Sequence, residues 1–139
     1  MNLPNQDAAL PAASPFLASL GATIVAAANG RSELALDPRD AHANTWGAVH
    51  GGVLMTLLDV AMSFAARSTD AHAQGAVTVD MSVQFIAPAD GPLRALGHCA
   101  RASRTLVFCD AQIVDAQGEL VARAQGTFKL LRRADFARR

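Results

Sequence analysis

Residues 51–67, GGVLMTLLDVAMSFAAR, decide the fold. After its two opening glycines the run contains neither glycine nor proline, and it ends on Arg67, whose charge suits the negative end of a helix. One helix is therefore expected from Gly51 to Arg67. Val53, Leu54, Leu57, Val60, Ala61 and Phe64 lie on nearly every side of it. A helix that is apolar all round is expected to be enclosed by protein, which places this one at the centre of the fold.

The flanking sequence is expected to supply a sheet. Upstream, Ser14 before Pro15 is an N-cap with proline in the first turn, so SPFLASLG reads as a short helix ending at Gly21. Residues 22–28 and 31–37 read as strands around an Asn29-Gly30 hairpin turn, with Asp37-Pro38 as a stop and a polar, glycine-rich loop up to Gly52. Downstream, Thr69–Gly75 reads as a turn. In AVTVDMSVQFIAP (76–88), Val77, Val79, Met81, Val83 and Phe85 alternate with Thr78, Asp80, Ser82 and Gln84, predicting a strand with one buried face. Two strands at 93–102 and 105–115 meet at Ser103-Arg104, and Ala116-Gln117-Gly118 leads into a last one at 119–131. Strands joined by hairpins make an antiparallel sheet. The expected architecture is a single α+β domain at 15–131, its antiparallel sheet curled around one long central helix. A loose arm at 1–14 precedes it, and a basic, solvated tail at 132–139 follows.

Composition narrows the function classes. The chain of 139 residues has room for one domain, and its 51% hydrophobic content with only 5% aromatics implies a core of Ala, Val, Leu and Ile. Twelve basic and 12 acidic residues cancel, which leaves no concentrated basic face for nucleic acid. A near-neutral surface favours self-association. No apolar run approaches the roughly 18–20 residues of a membrane span. The opening MNLPNQDAALPAASPF lacks a basic start followed by an apolar run, so no signal peptide and a cytoplasmic location are expected. Cys99 and Cys109 either face each other across a hairpin or stay buried, and in the cytosol free thiols are the expectation.

Chemistry concentrates in Asn44–Asp59, NTWGAVHGGVLMTLLD. His50-Gly51-Gly52 falls at the start of the long helix, where free N–H groups and the positive dipole end point outward and glycine leaves them open to an oxyanion. Asp59 lies about two turns further in, among Leu57, Leu58, Val60 and Ala61. A carboxylate there is costly unless something pairs with it or uses it, so it is either a structural cap or partner, or a catalytic group. Asn44 and His50 offer an amide and an imidazole just upstream. GAVHGG lacks the GxGxxG spacing, no Walker lysine follows, and no GxSxG serine elbow occurs. His42, His72 and His98 do not combine with the cysteines at metal-ligand spacing, so no metal is expected. Met55, Leu58, Met62 and Phe64 are candidates for an apolar pocket lining.

The same stretch resembles the signature of the hotdog-fold thioesterases of the phenylacetate-pathway type. The resemblance continues through TVDMSVQFIAPA (78–89), RASRTL (101–106) and GELVARAQGTF (118–128), covering about residues 15–131. It implies hydrolysis of an acyl-CoA thioester, with CoA as part of the substrate and no separate cofactor. It also implies a homodimer that joins sheets edge to edge and shares its active sites, and a dimer of such dimers. Asp59 would be the nucleophile or general base, the Gly51 N–H would polarise the thioester carbonyl, and His50 and Asn44 would hold the thioester. Thr78 would place the water, although its parity puts it with Asp80 and Gln84 on the polar face, so it either reaches the site or is a surface threonine. Arg101 or Arg104 would meet the CoA phosphates, the other reading being solvated turn arginines. Asp rather than Glu at position 59 favours the phenylacetyl-type branch over the naphthoyl- and benzoyl-type branch. The rivals on this fold are a non-catalytic acyl-CoA sensor and a hydratase, which needs a second acid–base pair.

Overall fold

Described from residue 10 to residue 137 by a computed structural model, the chain runs helix, hairpin, helix, then four strands. Helix α1 (Pro15–Leu20) starts where the Leu17 N–H donates to the Ser14 hydroxyl at 3.1 Å, and stops where Gly21 turns left-handed at φ 75°. Strands β1 (Thr23–Ala28) and β2 (Arg31–Leu36) are joined by Asn29 and Gly30 at φ 54° and 76°, the turn whose twist matches a hairpin. After a loop with one tight turn at Asp40–His42 come α2 (Gly51–Arg67), β3 (Ala73–Phe85), β4 (Leu93–Ala102), β5 (Leu106–Val114), β6 (Leu120–Arg132) and a short α3 (Arg133–Phe136). The six strands make one antiparallel sheet in the order β1-β2-β4-β5-β6-β3, so β1 and β3 are its edges.

The sheet wraps α2. Leu57, Leu58, Ala61 and Met62 are fully buried against Leu34, Ile113, Val107 and Phe128 from the strands. Helix and sheet approach closely at Gly97 of β4. A β-carbon there would overlap the Ala61 carbonyl, which also accepts the hydrogen bond from the buried Ser32 hydroxyl. Small residues at the crossing let the helix seat against the sheet, which is why an Ala-rich, aromatic-poor chain builds this layer tightly.

Three expectations need correction. Strand β3 begins at Ala73, inside the stretch read as a turn, because residues 73–76 continue the ladder with the end of β6. Its alternation is broken by a bulge between Thr78 and Asp80, which flips the parity. Ala76 and Thr78 point inward before the bulge, Met81 and Val83 after it, and Val77 and Val79 are left 46% and 60% exposed instead of buried. Helix α2 is not enclosed on all sides: Gly52 and Met55 are exposed and Thr56, Asp59 and Ser63 half-buried, one open stripe at helical spacing. The segment read as a solvated tail carries the short α3 directly after β6, with its residues exposed. Of the expected arm, residues 1–9 lie outside the described residues, as do 138–139 at the other end. Cys99 and Cys109 stand opposite each other in the β4–β5 ladder as free thiols.

Candidate active site

The first turn of a helix carries N–H groups with no partner inside the helix. In α2 the His50 carbonyl accepts from Val53 and Leu54 at 2.9 and 3.3 Å, and the His50 ring Nδ1 accepts from Gly52 at 2.8 Å. Among the described residues no acceptor faces the Gly51 N–H. One donor at the positive end of a 17-residue helix is thus left open beside an exposed imidazole. With Nδ1 accepting, a neutral His50 ring carries its proton on Nε2, which makes that outer nitrogen a donor.

The loop before the helix is organised by two side chains. Asn44 Oδ1 accepts from the Trp46 and Ala48 N–H groups at 2.9 and 3.1 Å, while its backbone bonds Ala48 and Gly47 at 2.7 and 3.1 Å. Its carbonyl oxygen is committed to the loop, so what it offers outward is its NH2 group. His42, 2% exposed, accepts the Arg39 N–H at its Nδ1 (2.9 Å) and takes the His50 N–H on its carbonyl (2.7 Å). It ties the loop to the start of α2, and among the described residues its buried Nε2 has no hydrogen-bond partner. Sequence reading weighed His42 only as a metal ligand. Its spacing before Asn44 carries no signal of this anchoring role, because the anchor is a tertiary contact.

Further along the open stripe, the Thr78 hydroxyl donates to Asp59 Oδ1 at 2.6 Å. The bulge makes this contact: with unbroken alternation from Met81 and Val83, Thr78 would face away from the helix. Asp59 is half-buried at the seam between α2 and β3. Eight residues separate Gly51 from Asp59, a rise of about 12 Å at 1.5 Å per residue. Within one chain the structure thus assembles two clusters, Asn44–His50–Gly51 at the helix start and Asp59–Thr78 midway, and does not bring them onto one carbonyl.

Arg101 and Arg104 are exposed and belong to the far end. The Cys99 N–H donates to Gly30 at 2.7 Å and the Gly30 N–H to the Ser68 hydroxyl just past α2 at 2.8 Å. Arg132 pairs with Asp70 at 2.7 Å and donates to the Arg104 carbonyl at 2.9 Å. The two arginines therefore sit a helix length, about 25 Å, from Gly51 of the same chain. Of the expected lining, Leu58 and Met62 are fully buried in the core, and Phe64 packs against it; Met55 alone lies exposed on the stripe. One residue taken for a core position stands here instead. The Phe85 ring reaches within 3.3 Å of where a Gly51 β-carbon would sit, yet Phe85 is 54% exposed. Among the described residues no three His, Cys, Asp or Glu side chains gather as metal ligands would, and no helix is long and apolar enough to cross a membrane.

A six-stranded antiparallel sheet curled over one long helix, with an open N–H at the helix start and a carboxylate midway, defines a hotdog fold of the thioesterase kind. Residues 47–122 match the thioesterase superfamily. Human acyl-coenzyme A thioesterase 13 is 31% identical over 108 residues, 76% of each chain. Among solved structures, a thioesterase family protein from Silicibacter pomeroyi superposes with a TM-score of 0.79 at 30% identity, covering 86% of this chain and 90% of that one. A mutant of the phenylacetic acid degradation protein PaaI from Thermus thermophilus gives 0.77 at 27% identity, covering 85% and 100%. The chain belongs to the thioesterase superfamily and is a thioester hydrolase.

Proposed function

We propose that the protein hydrolyses acyl-CoA thioesters to the free acid and CoA, at two sites shared between the protomers of a dimer. The observation that carries this reading is the separation of the two clusters on one open helix face. An unclaimed donor and a held carboxylate about 12 Å apart cannot serve one thioester. A second copy related by a two-fold axis, its α2 running antiparallel, sets its Asp59 and Thr78 beside this chain's Gly51 and His50. The same operation brings its Arg101 and Arg104 toward this end, where the CoA phosphates would be held. Strand β3 is a free edge with exposed Val77 and Val79, the kind of strand that pairs with another chain.

In this site the Gly51 N–H and the His50 Nε2–H polarise the thioester carbonyl, and the Asn44 NH2 steadies the acyl-CoA. Asp59 either attacks the carbonyl carbon to form a mixed anhydride or takes a proton from a water that attacks it. On the first route the carbon–sulfur bond breaks as CoA leaves as a thiolate. A water then cleaves the anhydride, releasing the acid, restoring Asp59 and supplying the thiolate's proton. On the second the carbon–sulfur bond breaks after water adds, and the proton held by Asp59 passes to the departing sulfur. A thiolate leaves without a strong acid, which suits a site with one carboxylate. Thr78 donates to one carboxylate oxygen and so leaves the other facing the substrate. Single turnover in ¹⁸O water reveals the anhydride when water opens it at the aspartyl carbon, since the first acid released then carries unlabelled oxygen from Asp59 and the label enters the protein.

The decisive measurement is thiol release from a panel of aryl- and alkyl-CoA thioesters by wild type and Asp59→Asn. Wild type is expected to turn over at least one member, and the variant to lose about 10³-fold or more in kcat while keeping its fold. Near-normal turnover by the variant would remove Asp59 from the chemistry. Binding without any thiol release by wild type would favour an acyl-CoA sensor.

A further inference from the structure

We infer that Phe85 sets which acyl groups the site accepts, its ring forming the wall beside the carbons next to the thioester carbonyl. The inference rests on the acyl-CoA reading of the Gly51 site. After the bulge in β3 the inward row is Met81, Val83 and Phe85. Met81 and Val83 pack against the core, but Phe85 is the last residue of the strand and projects past the end of the core. Its ring lands on the start of α2, with Cε1 and Cζ at 3.3 and 3.5 Å from the position of a Gly51 β-carbon.

The ring stands on a fixed backbone. Phe85 pairs with Ala122, and the next two N–H groups, of Ile86 and Ala87, both donate to the Val121 carbonyl at 2.9 and 3.0 Å. Four residues on, the Ala89 carbonyl accepts the Val49 N–H at 2.7 Å, binding this segment to the loop that leads into α2. A large ring held in this way and left 54% exposed is not filling the core. It stands over the glycine whose N–H is unclaimed, its edge 3.3 Å from where that residue's β-carbon would be.

Covalent geometry puts a β-carbon about 2.5 Å from its own amide nitrogen, so the ring edge lies within about 6 Å of the Gly51 nitrogen. A carbonyl oxygen accepting that N–H sits about 2.9 Å from the nitrogen. Acyl carbons next to such a carbonyl, on the ring side, meet the ring at van der Waals distance. A branch at the first acyl carbon would meet that edge, whereas an unbranched chain has room to run past it.

The test compares butyryl-CoA with isobutyryl-CoA, isomers that differ only in branching at that carbon, on wild type, Phe85→Leu, Phe85→Ala and Phe85→Trp. Wild type is expected to prefer butyryl-CoA in kcat/KM. Phe85→Ala should shift the ratio toward isobutyryl-CoA by about tenfold or more, with Leu between and Trp moving it the other way. A ring that only supports the helix start would lower both substrates together, and a ratio unchanged within about twofold across the series overturns the inference. If wild type releases no thiol from either, the ratio of the two dissociation constants by calorimetry tests Phe85, and hydrolysis fails as the function only if the wider aryl- and alkyl-CoA panel also releases none. Binding of neither compound overturns the inference.

Discussion

In the proposed site Asp59 acts only where its carboxylate is aimed, and the Thr78 hydroxyl that donates to it at 2.6 Å is placed to aim it. A hydrogen bond to a charged group contributes about 1.5–3 kcal/mol, so Thr78→Val, which keeps the shape and removes the donor, is expected to lower kcat about tenfold or more with little change in KM. Thr78→Ser should restore it. Steady-state kinetics on the three proteins checks this, and a Val variant as fast as wild type would leave Thr78 a purely structural residue. A second residue-scale prediction concerns pH. Burial pushes the Cys109 thiol up to about 12, with the neighbouring Cys99 and Asp110 adding to the rise. An unfolded thiol ionises first, near pH 8.5, while the folded one stays neutral. Stability from this group is therefore complete below that pH and is lost as pH rises from about 9 toward 12. Urea midpoints at pH 8 and pH 10.5 should fall for wild type and fall less for Cys109→Ala. Equal losses would show that burial of this thiol does not drive the alkaline weakening.

At the scale of elements, the seating of α2 on β4 is the contact least able to change. Gly97→Ala places a methyl into the Ala61 carbonyl and the Ser32 hydroxyl that donates to it, groups fixed by helix and strand. Overpacking of this kind costs about 1–3 kcal/mol, and against backbone the upper end is expected, read as a lower urea midpoint. Gly118, where an added β-carbon would meet nothing, is the contrast in space, although its φ of 82° carries its own strain. The elements were legible in sequence wherever their cause is local. The Asn29-Gly30 turn, the Ser14-Pro15 start, the Gly21 stop and the 51–67 helix all follow from neighbours a few residues away. What escaped depends on a neighbouring strand or on a missing layer. The bulge after Thr78 is set by how β3 meets β6, where a β-carbon on Gly126 would crowd the Asp80 carbonyl at 2.9 Å, and period-two counting has no access to that. The bulge moved Thr78 to Asp59 and Val79 to the surface. The open stripe on α2 is hidden in the sequence because its one large apolar side chain, Met55, differs in no way from a core residue by type.

At the scale of the whole molecule, that stripe and the free β3 edge lie on the same side, and the proposed two-fold site requires them to be covered together. Complementation tests this directly. Gly51→Pro removes the one backbone N–H proposed to bind the oxyanion, and proline is well suited to the first helical position. His50 already has φ −61° and ψ 138°, the extended conformation a residue before proline prefers. Gly51→Ala is the control that adds a β-carbon against Phe85 and keeps the N–H. Gly51→Pro and Asp59→Asn are each expected to be inactive alone. Mixed and refolded in equal amounts, they form heterodimers in which one shared site carries both lesions and the other carries none. Random pairing makes about half the dimers mixed, so about one quarter of wild-type activity should return. Adding Val79→Lys to both chains should prevent pairing and abolish the recovery, with the change visible as a smaller species by light scattering. If each chain used its own Gly51 and Asp59, no pairing would create an intact site, and mixing would restore nothing.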